Sequence, residues 1–295
     1  MAKNYLDERS NLTNGEVIKL ICELLKENGY QTDDLKEIKK IGKFGIINPG
    51  VKNLHSVLKK LVRKLKTDED KKNKTSLEEI FERELKKNKH LITDNVPDVC
   101  RFSIIVPSWN NSPAIIASIL GEFGGTVEIK NKPSYKAFHI NTAINEIGTE
   151  FQIHTEETIA LKAASDPFYH EHVNDEDDEE EEKSEEEKIK INKISKTLDN
   201  GCQIVYDRSG FQKVIPDVQE VYQNYLSRGP IQPKPKEPKD ILKFYSDCYF
   251  TQNNIEKRLS EFLKNMTKRS KLDINTNSKA FIQNKSNNEL GLGDK

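Results

Sequence analysis

The chain has little cysteine and no long apolar run. Its four cysteines stand far apart and form no CxxC pair, which excludes the common zinc and disulfide signatures and predicts reduced thiols. No stretch approaches the roughly 18 consecutive apolar residues that a membrane span needs, and no apolar segment near Met1 resembles a signal peptide. These features predict a cytoplasmic protein that does not enter a membrane.

Apolar residues are scarce overall, at 35% against 32% charged residues, so part of the chain is expected to stay unfolded. The formal net charge of -1 hides an uneven distribution. Residues 175–187 contain eleven acidic residues and one lysine, which leaves 46 basic and 37 acidic residues elsewhere, a balance of +9. A basic remainder suits phosphate-bearing ligands or nucleic acid.

Three segments in the first third have helical spacing of apolar residues, namely 15–27, 54–66 and 76–87. Ser76 and Glu79 have the spacing of a capping box at the start of the third helix. The stretch "KFGIINPGVKN" contains two glycines and a proline and interrupts the pattern.

Four segments with strand character follow, at 101–106, 126–131, 137–144 and 150–155, with an apolar helix at 113–123. This order predicts an α+β fold with a mixed β-sheet and flanking helices. Beyond the acidic run, "QIVYDRSGFQKVI" has the pattern of a hairpin turning at Asp207–Gly210. We then predict a helix at 216–227, a proline-rich linker at 230–238 and a helix at 239–268.

The predicted organisation has five parts. They are an N-terminal helical region (1–49), a central α+β domain (50–173), an acidic low-complexity linker (174–195), a C-terminal hairpin and helices (196–270), and a disordered tail (271–295).

The segment "VKNLHSVLKK" combines three lysines and a hydroxyl around a predicted helix start. Lys52, Ser56, Lys59 and Lys60 are suited to holding a polyphosphate, because a helix N-terminus adds free N–H groups and partial positive charge. The alternative is a solvated basic helix face.

Two carboxylates stand at predicted strand ends. Asp98 precedes the strand that contains Arg101, and Glu150 opens the last strand of the domain. If the two strands are neighbours, Asp98 and Glu150 would form a Mg²⁺ site that leaves coordination positions for substrate phosphates. The alternative for Asp98 is the closing of a turn after Pro97.

Alternation along 150–155 directs Glu150, Gln152 and His154 to one side of the strand, so they form either a solvated edge or the lining of a site. Tyr135 follows a Pro–Ser turn, where its ring would either stack on a nucleotide base or pack against the sheet.

The order and spacing of these segments resemble the synthetase domain of the RelA/SpoT-like nucleotide pyrophosphokinases, the alarmone synthetases. The matching pieces are "KNLHSVLKK" (52–60), "DVCRFSII" (98–105), "YKAFH" (135–139) and "EFQIHT" (150–155). The resemblance covers roughly residues 50–172. "DVCRFS" and "FQIHTEETIALKAASDPFYHE" are closest to the toxin-associated and phage-associated branch of that family.

The resemblance implies a nucleotidyltransferase-like domain that moves the β,γ-pyrophosphate of ATP to the 3′-hydroxyl of a purine nucleotide, with Mg²⁺ as cofactor. It implies that Asp98 and Glu150 bind the metal, with Glu150 also able to act as general base. The implied ATP-phosphate contacts are Lys52, Ser56, Lys59, Lys60, Arg101 and His154. The implied acceptor contacts are Tyr135, Lys136, His139 and Gln152.

The chain departs from the family pattern at three cationic positions. Gly50 and Ser103 stand where the family usually has arginine, and "QIHT" replaces "QIRT". No His-Asp dipeptide of a hydrolase module is present. A synthetase that lacks its own hydrolase module fits a toxin or effector, for which an inhibitory partner protein is possible. Two alternatives stay open: the acceptor is the 3′ end of tRNA, or the domain is a degenerate nucleotide-binding module.

Overall fold

The protein is described here by a computed structural model. It describes residues 12–33, 36–53, 56–57, 67, 70, 73, 75–87, 96, 98–172, 184–229, 233–236 and 241–289. Within these ranges no helix combines the length and the apolar character that crossing a bilayer requires.

Six strands form one mixed sheet in the order β1-β2-β3-β6-β5-β4. The central pair β3–β6 is parallel, and the other four pairs are antiparallel. The predicted α+β fold with a mixed sheet is therefore confirmed. The strands are β1 (Lys39–Ile41), β2 (Phe44–Ile47), β3 (Cys100–Val106), β4 (Thr126–Asn131), β5 (Lys136–Ile144) and β6 (Ile147–Thr155).

Seven α-helices lie in the described parts of the chain. They are α1 (Asn14–Glu27), α2 (Leu77–Lys87), α3 (Ser112–Phe123), α4 (Glu156–His172), α5 (Glu185–Ser209), α6 (Phe211–Ser227) and α7 (Ile241–Glu289). The capping box predicted for α2 is present: the backbone N–H of Ser76 donates to Glu79 Oε2 at 3.2 Å, and that of Glu79 donates to Ser76 Oγ at 3.3 Å.

One face of the sheet is apolar and covered. Because side chains alternate along a strand, Phe102 and Ile104 of β3 share this face with Phe151 and Ile153 of β6. Buried residues of α3, α6 and α7 pack against them. Trp109 lies in the same core, and its Nε1–H donates to Ser209 Oγ at 2.9 Å. Catalytic groups are therefore restricted to the other face.

A second core joins three helices beside the sheet. Apolar residues of α1, α4 and α5 pack together, among them Val17, Ile21, Leu161, Phe168 and Leu198. This packing fixes the position of α4. The helix begins directly after β6, and some of its side chains lie near the polar face of the sheet.

The predicted hairpin at Asp207–Gly210 is wrong. The segment forms the end of α5 and the start of α6, which meet at Gly210 with a left-handed φ of 81°. The buried residues Cys202, Val205 and Tyr206, followed by Phe211 and Val214, have the three-to-four-residue spacing of helices rather than strand alternation.

Three further boundaries differ from the sequence prediction. The β1–β2 hairpin lies within the region expected to be helical, and all four residues of β2 are buried. The last acidic residues, Glu185–Glu187, form the first turn of α5, which Ser184 caps through a 3.3 Å bond from Glu187 N–H. Helix α7 extends to Glu289 instead of ending at 268.

Candidate active site

The parallel pairing of β3 and β6 brings the two predicted metal-binding strands together. Arg101 pairs with Glu150, and Ser103 pairs with Gln152. Asp98 lies three residues before Arg101 and is close enough to Glu150 for the two carboxylates to repel each other. The condition that the sequence left open, adjacency of the two strands, is met.

Lys52 and Asp98 form an ion pair at the start of β3. Lys52 Nζ lies 2.7 Å from Asp98 Oδ2, and both side chains are only 11% exposed. The backbone reinforces this placement, because Val51 forms a β-bridge with Cys100 and Lys52 N–H donates to Val99 O at 2.9 Å. A predicted phosphate-binding cation and a predicted metal ligand therefore occupy one location.

The turn before Lys52 depends on Gly50, which has a left-handed φ of 86°. Its N–H donates to Asn48 Oδ1 at 2.9 Å. A Cβ added at Gly50 would meet no atom within 4 Å, so backbone conformation rather than space favours glycine at this position.

Helix α7 contacts this turn and β3 through Gln252. Its Nε2 donates to Asn48 Oδ1 at 2.5 Å and to the carbonyl oxygen of Arg101 at 3.0 Å. Sequence reasoning missed Asn48 and Gln252, and no motif marks either residue. Only the packing of a remote helix against β3 reveals them.

Both oxygens of the Glu150 carboxylate accept hydrogen bonds. His139 Nδ1 lies 2.9 Å from Oε2, and Gln152 Nε2 donates to Oε1 at 2.6 Å. Burial alone would raise the pKa of Glu150, but the hydrogen bond and charge of His139 and the bond from Gln152 together lower it, with Asp98 opposing them. Glu150 is therefore held ionised, with its orientation fixed by two neighbours.

Tyr135 lies over this group with its hydroxyl directed inward. The hydroxyl is 2.7 Å from His139 Nε2 and 3.5 Å from His154 Nε2. Burial and then the nearby negative groups raise the pKa of Tyr135 well above its ordinary value, so the hydroxyl stays protonated. The rest of the side chain is partly exposed, and Lys162 Nζ of α4 lies 6.0 Å from its ring centre.

His154 is fully buried on the same face. Burial, followed by the charges of Lys162 and His139, lowers the pKa of His154 well below its ordinary value, so the imidazole is neutral at pH 7. Its Nδ1 and the Nε of Arg101 have no hydrogen-bond partner within the residues that the structure describes. A neutral ring binds a phosphate more weakly than a charged side chain does.

One predicted site residue, Lys136, is not brought to this cluster. Lys136 stands three residues before His139 in β5, so its side chain lies on the opposite face of the sheet. Its Nζ donates to Asn131 Oδ1 at 2.7 Å there, and burial lowers the pKa of Lys136. Ser56 begins a helical turn, with its N–H donating to Asn53 Oδ1 at 2.8 Å. Lys59, Lys60 and most of the predicted helix 54–66 lie outside the described residues.

The donor set at this end of the sheet suits a hard divalent cation. Asp98 and Glu150 supply two carboxylates, and Mg²⁺ is commonly held by one or two carboxylates together with substrate phosphates and water. Across the described ranges, no group of three or more His, Cys, Asp or Glu side chains converges in a way that could hold a metal by itself. The two carboxylates therefore suit a metal ion that binds together with a nucleotide.

A cleft of about 540 Å³ opens at the opposite end of β3 and β6. Its lining includes Lys43, Ile105, Ser108, Glu157 and Arg208, and excludes both carboxylates of the cluster. The candidate active site is therefore identified by its chemistry and is separate from this cleft.

Comparisons with known proteins add one similarity. No protein-family profile and no curated protein matches the chain. Among solved structures, the chain is similar to a GTP pyrophosphokinase family protein from Streptococcus pneumoniae, with 13% sequence identity and a TM-score of 0.33. That similarity covers 71% of this chain and 93% of the other chain.

Proposed function

We propose that the protein is an ATP-dependent pyrophosphokinase that transfers the β,γ-pyrophosphate of ATP to the 3′-hydroxyl of a purine nucleotide, an alarmone-type synthesis. The observation that carries this proposal is the pairing of β3 with β6, which brings Asp98, Lys52 and Glu150 to one end of the polar face. The motifs at 52–60, 98–105, 135–139 and 150–155 support the same reaction by resemblance.

The proposed reaction needs positioning and charge neutralisation more than covalent chemistry. Asp98 and Glu150 would hold Mg²⁺, which neutralises charge on the phosphates when it is bound. Lys52 would exchange part of its contact with Asp98 for a phosphate oxygen. Arg101 would direct its unpartnered Nε toward the same phosphates.

Glu150 would act as general base. The acceptor's 3′ O–H bond breaks and the proton passes to the Glu150 carboxylate, while the 3′ oxygen forms a bond to the β-phosphorus of ATP. The bond between that phosphorus and the oxygen bridging to the α-phosphate breaks, and AMP leaves. The lowered pKa of Glu150 keeps its carboxylate ionised at neutral pH, the form that can accept a proton, although a lower pKa also makes it a weaker base.

Two alternative functions use the same site. The +9 balance outside residues 175–187 favours the 3′ end of tRNA as acceptor, because phosphate backbones bind basic surfaces. The glycine at position 50 and the neutral His154 favour a nucleotide-binding module without catalysis.

The test offers the purified protein Mg²⁺ and γ-labelled ATP with GDP, GTP, AMP, ADP or bulk tRNA. The variants Asp98→Asn and Glu150→Gln keep side-chain size and remove the charge. Glu122→Gln is the matched control, because Glu122 is an exposed carboxylate on α3 that pairs with Arg258. We expect label on one acceptor with wild type and the control, and none with either site variant. Label on no acceptor, despite ATP binding, would overturn catalysis in favour of a binding module.

A further inference from the structure

Three side chains from two neighbouring strands and the loop before them form a continuous hydrogen-bonded chain. The Tyr135 hydroxyl lies 2.7 Å from His139 Nε2, and His139 Nδ1 lies 2.9 Å from Glu150 Oε2. All three have little freedom to change partners, because His139 is buried and the side chain of Glu150 is only 12% exposed.

The direction of each hydrogen bond depends on which of its two atoms carries the proton. An ionised carboxylate can only accept, so His139 Nδ1 carries the proton and donates to Glu150. When the imidazole carries only this proton, Nε2 has the lone pair and accepts from the Tyr135 O–H. The hydroxyl oxygen retains a lone pair toward His154 Nε2, 3.5 Å away. With a doubly protonated His139 the Tyr135 hydroxyl would instead accept from Nε2, so the direction of this bond depends on whether His139 Nε2 carries a proton.

We propose that Tyr135 acts through its hydroxyl as a positioning residue, fixing the His139 ring and thereby the orientation of the Glu150 carboxylate toward the reacting hydroxyl. This inference rests on the proposed function and adds to the resemblance, which implies only that the Tyr135 ring stacks on the acceptor base. A hydroxyl enclosed between two histidines contributes nothing to stacking. Its partners instead connect it to the group that would take the substrate proton.

The two roles of Tyr135 predict opposite results for Tyr135→Phe. Phenylalanine keeps the aromatic ring and removes the hydrogen bond to His139. A pure stacking role predicts unchanged kinetics. The positioning role predicts a fall of about 10-fold to 100-fold in kcat with little change in acceptor KM, because a small misplacement of a catalytic group is costly in the transition state.

A second variant interrupts the chain at the same bond. In His139→Asn, the shorter amide keeps a donor near the Nδ1 position for Glu150 but cannot reach Tyr135. We expect its kcat to fall as in Tyr135→Phe, and the double variant to fall no further, because both remove one hydrogen bond. Tyr225→Phe is the matched control, since the Tyr225 hydroxyl accepts only from the distant Gly125 N–H at 3.2 Å among the contacts described.

A measurement on the nucleotide-free protein separates this inference from the proposed function. Nitrogen-15 NMR of the histidine rings reports which nitrogen is protonated. We expect His139 to be protonated at Nδ1, with the Nε2 signal moving in Tyr135→Phe and unmoved in Tyr225→Phe. An Nε2-protonated His139, or a kcat within about twofold of wild type in Tyr135→Phe, would overturn the inference. If wild type transfers no pyrophosphate while the NMR result holds, the proposed function fails and the chain of hydrogen bonds stands as structural.

Discussion

Lys52 and Asp98 are 46 positions apart in sequence, yet Lys52 Nζ lies 2.7 Å from Asp98 Oδ2 at a largely buried position. The pair joins the segment expected to bind phosphate to the strand expected to bind metal. It also neutralises a carboxylate that would otherwise add to the negative charge at Glu150. This ion pair therefore links the stability of the fold to the chemistry of the site.

Lys52→Met is expected to destabilise the protein by about 3 kcal/mol, because removing one partner of a buried ion pair leaves the other charge poorly compensated. Urea denaturation at pH 7 measures this change. Lys39→Met is the control, since Lys39 pairs with Glu256 at 2.6 Å but is 58% exposed, and exposed pairs contribute about 0.2–1 kcal/mol. Equal losses in the two variants would contradict the structural role given to the buried pair.

Gly50→Arg adds a cation two residues before Lys52, and we expect it to destabilise the protein. At a φ of 86° a side chain is strained, so Gly50→Arg and Gly50→Ala should each cost about 1–2 kcal/mol in unfolding free energy. Gly50→Asn should cost less, because asparagine tolerates the left-handed region. Thermal unfolding compares the three variants. A Gly50→Arg protein as stable as wild type would show that the turn does not require glycine.

The neutral state of His154 predicts a pH-dependent stability. The folded-state pKa lies well below the ordinary value of 6.5, so below pH 6.5 the unfolded chain binds more protons than the folded one. The stability contribution of neutral His154 is present above that pH and is lost as the pH falls, by at most about 1.4 kcal/mol per pH unit. Lys162 of α4 and His139 of β5 face this ring and oppose its charging.

Unfolding free energy measured between pH 7.5 and about 5 tests this prediction. In His154→Gln the unfolding free energy should depend less steeply on pH below pH 6.5, because the variant lacks the proton that His154 takes up on unfolding. An unchanged slope would mean that His154 is charged in the folded protein or ionises equally in both states.

Helix α7 should influence the site although no motif marks it. Gln252→Leu removes the bonds to Asn48 Oδ1 and to the carbonyl oxygen of Arg101, so we expect a loss of about 1–3 kcal/mol, because each hydrogen bond contributes about 0.5–1.5 kcal/mol. Asn48→Ala should be non-additive with Gln252→Leu, because the two side chains share a bond. Denaturant unfolding of the two single variants and the double variant measures the coupling. Strict additivity would contradict the shared network.

The sequence predicted the central sheet well because its strands alternate clearly and end at recognisable turns. The segment 126–131 forms β4 over the same residues, and 150–155 forms the last six of the nine residues of β6. The sequence could not show which strands pair. Alternation directs Glu150 to one side of its strand, but only the parallel register of β3 with β6 brings it near Asp98.

Other features depended on contacts that no local pattern encodes. Gly210 has the chemistry of a hairpin turn. Only the packing of Tyr206 into the helical core and of Phe211 into the core on the sheet shows that two helices meet there. The chain from Tyr135 through His139 to Glu150 required the register of β5 on β6, which pairs His139 with Gln152. Gln252 acts across 151 residues of sequence, and a remote helix contact of this kind leaves no motif.

The fate of two labels in ATP tests the central claim most directly. Protein, Mg²⁺ and the acceptor that responds best are incubated with ATP labelled at the γ-phosphate or, in parallel, at the α-phosphate. Pyrophosphate transfer predicts that the γ-label moves to the acceptor while the α-label appears in AMP in equal amount, and that Glu150→Gln abolishes both. Appearance of the α-label in ADP, or of the γ-label as free phosphate with the acceptor unchanged, would contradict a pyrophosphokinase and point to ordinary phosphate transfer or hydrolysis.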